Sequence, residues 1–148
     1  PWVFTDAPFP TTAAPKPSAA PITQGSPRDA QPAAERSALA DALNSPTGDI
    51  RADLRIVSEV IEAFRTNFPR DGNPIGDNAE ITASLMGENK LRLALIPPGH
   101  PAVNRAGELC DRWGTPFFFH AESAQKMEIR SAGPDKKMWT DDDVVFSP

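Results

Sequence analysis

The sequence predicts an α+β domain: a long N-terminal helix and a short one packed on a small antiparallel β-sheet, preceded by a disordered Pro/Ala-rich segment. Three observations carry this. Apolar residues recur at helical spacing from Ile50 to Phe68. Apolar and polar residues alternate at strand spacing in the last third of the chain. Nine of the 17 prolines fall in the first 46 residues, beside many alanines and few large aliphatics. Helices first and sheet last is the order of an α+β fold.

The proline-rich part comes first. "TTAAPKPSAAPITQGSPRDAQPAAERS" (Thr11 to Ser37) carries too little apolar surface to offset the entropy of ordering its backbone. Residues 1–47 therefore read as a linker or stalk, mostly disordered and partly polyproline-like. Residues 48–148 read as the globular domain, about 100 residues, a size that supports a modest single core. The chain opens "PWVFTDAPFP" without an initiator methionine. A removed leader or anchor is expected, with the Pro/Ala-rich stretch joining it to a soluble head. No apolar run approaches the roughly 18 residues that span a bilayer.

The long helix lies in "GDIRADLRIVSEVIEAFRTNF". Ile50, Leu54, Val57, Ile61, Phe64 and Phe68 form one stripe, with Arg51, Arg55, Glu59, Glu62 and Arg65 off it. Asp49 or Thr47 caps its start, and Pro69, Gly72 and Pro74 break it. A domain this small needs that stripe for its own core. A second, short helix lies in "DNAEITASLMGEN". Asp77 or Asn78 is its cap, Ile81, Leu85 and Met86 face inward, and Gly87 is its stop. "KLRLALIPPGHPAVN" reads either as a short strand, on the alternation of Leu91, Leu93 and Leu95, or as an apolar loop ended by Pro97 and Pro98.

The last third reads as strands. "TPFFFH" is a short aromatic run, "KMEIRSA" puts Met127 and Ile129 inward and Glu128 and Arg130 outward, and "DVVFS" is a third. "HAESAQK" joins the first two as a loop without a two-residue hairpin signal. Gly114 and Pro116 in "DRWGTP" mark a turn feeding the aromatic strand, with Trp113 packed at the corner.

Net charge is −5, with 15 Lys and Arg against 20 Asp and Glu, and no basic patch stands out. Nucleic acid is therefore an unsuitable partner. Cys110 is the single cysteine, so no intrachain disulfide and no cysteine-based zinc site can form. A catalytic cysteine needs a histidine base and an activating setting, and neither His100 nor His120 stands in a recognisable signature.

One cluster stands out. Asp135, Asp141, Asp142 and Asp143 lie within nine positions, the last three directly before Val144 and Val145. Carboxylates this close repel unless water or a cation screens them. The spacing is not that of an EF-hand. On the residues alone the choice stays open between a solvated acidic turn and a calcium loop, in which carbonyls near Ser131, Ala132 and Met138 join the carboxylates to reach six to eight oxygens. Magnesium suits a cage made mostly of protein less well.

"LCDRWGTPFFF" resembles the "DPWG-P-Y-Y" segment of the major pseudopilins of type II secretion systems. "MEIRSAGPDKKMWTDDDV" resembles the segment that follows it there, a strand, then "S-G-D-G", a short loop and "DDI". The resemblance covers about residues 105–146, and extends to exported bacterial proteins that carry this module after a Pro-rich stretch. It implies a long helix against a small antiparallel sheet. It also implies one structural calcium ion, for which the matching positions are Asp135, Asp141, Asp142 and Asp143. The family often has Gly where this chain has Lys136.

The function this implies is a non-enzymatic, extracytoplasmic pseudopilin-like domain, periplasmic or on the outer surface. Its role is structural or in assembly or binding, and calcium pins its C-terminal loop. Its partners would be other envelope or secretion-system proteins, with the membrane reached only through a missing N-terminal anchor. One alternative is a subunit of a type II secretion or pilus-like assembly. The other is a small hydrolase using Cys110 or an acidic pair. The sequence names no oligomeric state.

Overall fold

The structure, a computed structural model, describes residues 38–148, and residues 1–37 of the expected linker lie outside them. Two helices, α1 (Ile50–Asn67) and α2 (Asn78–Leu85), precede three strands, β1 (Phe118–Ser123), β2 (Lys126–Ser131) and β3 (Val144–Phe146). The strands form one antiparallel sheet in the order β1-β2-β3. The fold is α+β, helices first and sheet last, as the sequence predicts.

Helix α1 forms where the apolar stripe runs. Asp49 caps it by accepting a hydrogen bond from the amide of Ala52. Leu54, Val57, Val60, Ile61 and Phe64 are buried against the inner sheet face, which offers Met127 and Ile129. Each fully buried aliphatic of this set contributes roughly 1.5–3 kcal/mol. Phe68 follows the last turn and stacks on Phe64 with ring centroids 4.5 Å apart. Helix α2 starts in a full capping box: Asp77 accepts from the Glu80 amide, and Glu80 reaches back to the Asp77 amide. Gly87 ends it at φ 114°, a left-handed turn that costs glycine nothing.

Two differences from the sequence prediction, and the outcome of one open alternative, have physical causes. The folded unit takes in residues that the sequence reading gave to the linker ending at residue 47. Ala40 and Leu43 are 0% and 5% exposed and belong to the core. Ala40 and Leu43 seat in the core although the composition around them is that of a linker. Leu91 to Leu95 form no strand: Leu91 is 60% exposed while the consecutive Leu95 and Ile96 are both buried, a pattern no flat strand allows. Their amides both bond to the Leu85 carbonyl, closing an apolar loop onto the end of α2. The β1–β2 connection is a two-residue turn, Ala124 and Gln125, since Ser123 already pairs with Lys126. Asn73 supplies what the turn sequence lacks. Its amide donates to the Ala124 carbonyl (2.8 Å) and its side chain to the Ser123 carbonyl (2.7 Å), while Arg65 holds its oxygen (2.7 Å).

Side-chain amides organise the long segment between α2 and β1. Asn78, at the first turn of α2, donates to the carbonyls of Leu109 (3.0 Å) and Phe117 (2.7 Å) and accepts from the Leu109 amide (2.7 Å). It thereby fastens both limbs of the "DRWGTP" corner to the helix. This places the corner beside the end of β2, where the aspartate loop begins.

Candidate functional site

The corner and the loop are one structure. Asp111 is 2% exposed. Its Oδ1 accepts from the amides of Trp113 (3.0 Å) and Thr115 (2.9 Å), an Asx turn completed by Gly114 at φ 88°. Its Oδ2 accepts from the hydroxyl of Ser131, 0% exposed, at 2.7 Å. Ser131 in turn accepts from the Gly133 amide (3.2 Å), so the first residues of the aspartate loop hang from the corner. Gly133 sits at φ 77°, and a Cβ there would collide with the Asp142 carbonyl oxygen, so the two ends of the loop pass in backbone contact.

Within the loop each of three carboxylates already has donors. Asp135 accepts from the Lys137 amide (2.8 Å) and the Thr140 hydroxyl (2.7 Å). Asp142 accepts from the Asp135 amide (3.1 Å). One oxygen of Asp143, Oδ2, accepts from both the Trp139 amide (2.7 Å) and the Arg130 guanidinium (3.0 Å). Burial pushes the Asp143 carboxyl up, but the Trp139 amide, Arg130 and the Thr140 amide together hold it below its ordinary value. Asp141 is exposed and engages no partner among the described residues.

The expected ligand set of Asp135, Asp141, Asp142 and Asp143 is not gathered around one point in this structure. Calcium needs six to eight oxygens around one point. Here Asp135 and Asp143 share the Thr140 hydroxyl, Asp142 takes the Asp135 amide, and a guanidinium stands against Asp143. Among the described residues no group of three or more His, Cys, Asp or Glu side chains is disposed to hold a metal ion. The loop does bring Asp135, Asp142 and Asp143 together, each within one hydrogen bond of another loop residue.

Arg130 and Trp139 make the loop's outer face. The Arg130 guanidinium lies 4.5 Å from the centre of the Trp139 ring. Trp139 packs edge-on against Phe118 at 5.1 Å. Strand pairing sets Phe118, Arg130 and Val145 in one row across the sheet. Phe118 and Val145 are each 37% exposed and Trp139 is 64% exposed. Sequence alternation places Arg130 outward, as found, but does not reveal its pairing with Asp143.

The remaining candidates are placed apart from one another. Cys110 is 5% exposed and its Sγ donates to the Glu108 carbonyl, at 3.5 Å. Burial, then the nearby charges of Glu108 and Asp111, push its thiol pKa up. Both nitrogens of His100 are committed to backbone. Nδ1 accepts from the Ala102 amide (3.0 Å), so Nε2 carries the proton toward the Ala40 carbonyl (2.8 Å). His120 faces Glu128 across the strands at 3.9 Å. No histidine is hydrogen-bonded to the thiol. An apolar groove of about 200 Å³ lies between β1 and the loop from Asp71 to Gly76, lined by Ile75, Ile81, Phe119 and Met127, with Asp71, Asn73 and Ser123 as its polar side chains.

No protein-family model, curated protein or solved structure matches this chain.

Proposed function

We propose that the chain is a non-enzymatic, extracytoplasmic domain of pseudopilin-like build, working in structure or assembly with other envelope or secretion-system proteins. The observation that carries this reading is the buried bond from Ser131 to Asp111. It joins the two segments that resemble the pseudopilin pattern, "DRWGTP" and the strand leading into the aspartate loop. The order of long helix, short helix and antiparallel sheet supports the same reading. The Phe118, Trp139 and Val145 patch on the outer sheet face would supply contact surface, since exposed aromatics at a polar rim are what protein interfaces favour. The second reading, hydrolysis by Cys110, finds little support: a nucleophilic thiol needs a lowered pKa and a base, and Cys110 has a raised one and a carbonyl neighbour.

The test is made in cells that encode the protein. Fractionation with an antibody should find it outside the cytoplasm, and deletion of its gene should reduce export of proteins that use a type II route. A cytoplasmic location sinks the reading. An extracytoplasmic location with unchanged export removes the secretion role and leaves a structural one.

A further inference from the structure

We propose that Arg130 is the built-in counter-ion of the aspartate loop, so that the loop closes on a guanidinium and on backbone amides and holds its shape without a bound metal. The starting point is charge. From Arg130 to Asp143 the chain carries four aspartates but also Arg130, Lys136 and Lys137, a net charge of only −1. The repulsion expected of the aspartates is therefore largely offset inside the segment itself.

Geometry assigns the central part to Arg130. Its Nη1 lies 3.0 Å from Asp143 Oδ2, and the Asp143 side chain is 4% exposed, where Asp135, Asp141 and Asp142 are exposed. The same oxygen takes the Trp139 amide at 2.7 Å, so one carboxylate fixes both the strand β2 and the tip of the loop. Trp139 then covers the guanidinium at 4.5 Å. Stacking on the ring shields the pair from water, which strengthens a charge-assisted bond. Phe118 buttresses the ring from the side at 5.1 Å. A calcium ion ligated by Asp143 would have to displace the Trp139 amide or accept a guanidinium within a few ångströms, and like charges at that distance repel.

Thermal melts of the full chain test this, in excess EDTA, in millimolar calcium and in millimolar magnesium. The wild-type midpoint is expected to be the same in all three. Arg130→Met is expected to lower it by roughly 5–10 °C, and Arg130→Lys by less, because lysine keeps the charge but not the flat stack. With Asp143→Asn the losses should not add: the double variant should melt no lower than the worse single variant. A calcium-specific rise of several degrees in the wild type overturns the proposal and restores a metal loop. So does an Arg130→Met or Arg130→Lys midpoint equal to that of the wild type, or losses that add in full. Should Arg130→Met fail to fold, Arg130→Lys and the wild-type metal series still decide.

Discussion

Arg112 Nε donates a 2.6 Å hydrogen bond to Asp53 Oδ2, joining the "DRWGTP" corner to a fully buried carboxylate on helix α1. Asp53 Oδ1 accepts from the Asn44 amide (2.9 Å), and Arg112 Nη2 donates to the Ser45 carbonyl (3.0 Å). One ion pair thus binds three stretches of chain: the residues before α1, the helix itself and the corner. The bond to Asp53 raises the Arg112 pKa further.

Breaking this pair should be costly, and unequally so. Asp53→Ala strands a guanidinium that is 18% exposed and can turn to water. Arg112→Met strands a carboxylate that is 0% exposed. Urea unfolding should show a loss of about 3 kcal/mol for Asp53→Ala and a larger loss for Arg112→Met. An Asp53→Leu, Arg112→Met double variant should recover part of it, since two apolar groups leave no buried charge. Equal, small losses in both single variants would mean that the pair is solvated.

Asn78→Ala should cost about 2–3 kcal/mol, because it leaves the Leu109 and Phe117 carbonyls and the Leu109 amide without their partner. Asn78→Asp keeps the acceptor for the Leu109 amide and the Thr82 hydroxyl but sets a carboxylate oxygen against both carbonyls, and should cost at least as much as Asn78→Ala. Urea midpoints for the two variants give the order directly.

What the sequence disclosed and what it hid divide along these bonds. The stripe from Ile50 to Phe68 gave α1, and alternation around Met127 and Ile129 gave β2, because regular elements write their burial as a period. The segment from Glu88 to Phe117 has no period, since asparagines hold it: Asn89 accepts from the Leu91 and Leu93 amides as Asn78 does from that of Leu109. Such residues look like any loop asparagine until their partners are known. Asp53 was legible in principle. It lies on the row of Val57, Val60 and Phe64, and a charge on an apolar row must have a partner. The aspartates were visible as a cluster, but their partners, the Trp139 amide and Arg130, depend on a loop path that spacing does not fix.

Lys136→Gly should stabilise the chain. Lys136 sits at φ 60°, a left-handed conformation that disfavours side chains by about 1–2 kcal/mol. Its side chain is exposed and its amide only closes a turn to the Gly133 carbonyl. Glycine removes the strain while adding unfolded-state entropy, so the net gain should be about 0.5–1 kcal/mol, read as a rise in melting temperature. A fall in midpoint would show that the loss of the Lys136 charge matters more than the backbone.

Stability should fall at both ends of the pH scale for two separate reasons. Burial opposes the charge on Asp143, but its bonds to the Trp139 amide and Arg130 outweigh this and lower its pKa below the ordinary 3.8. The unfolded chain then binds the proton first, so the contribution is complete above about pH 4 and is lost as pH falls through the folded value. Cys110 behaves in the opposite sense. Its pKa is raised from 9.0, by burial first and then by Glu108 and Asp111. The folded thiol keeps its proton where the unfolded one loses it, so that contribution is complete below about pH 9 and declines as pH rises beyond it. Urea midpoints across the pH range should show both limbs. Asp143→Asn should flatten the acid limb alone, and Cys110→Ala the alkaline limb alone. An acid limb unchanged by Asp143→Asn would mean that neither the Trp139 amide nor Arg130 holds the Asp143 carboxylate in solution.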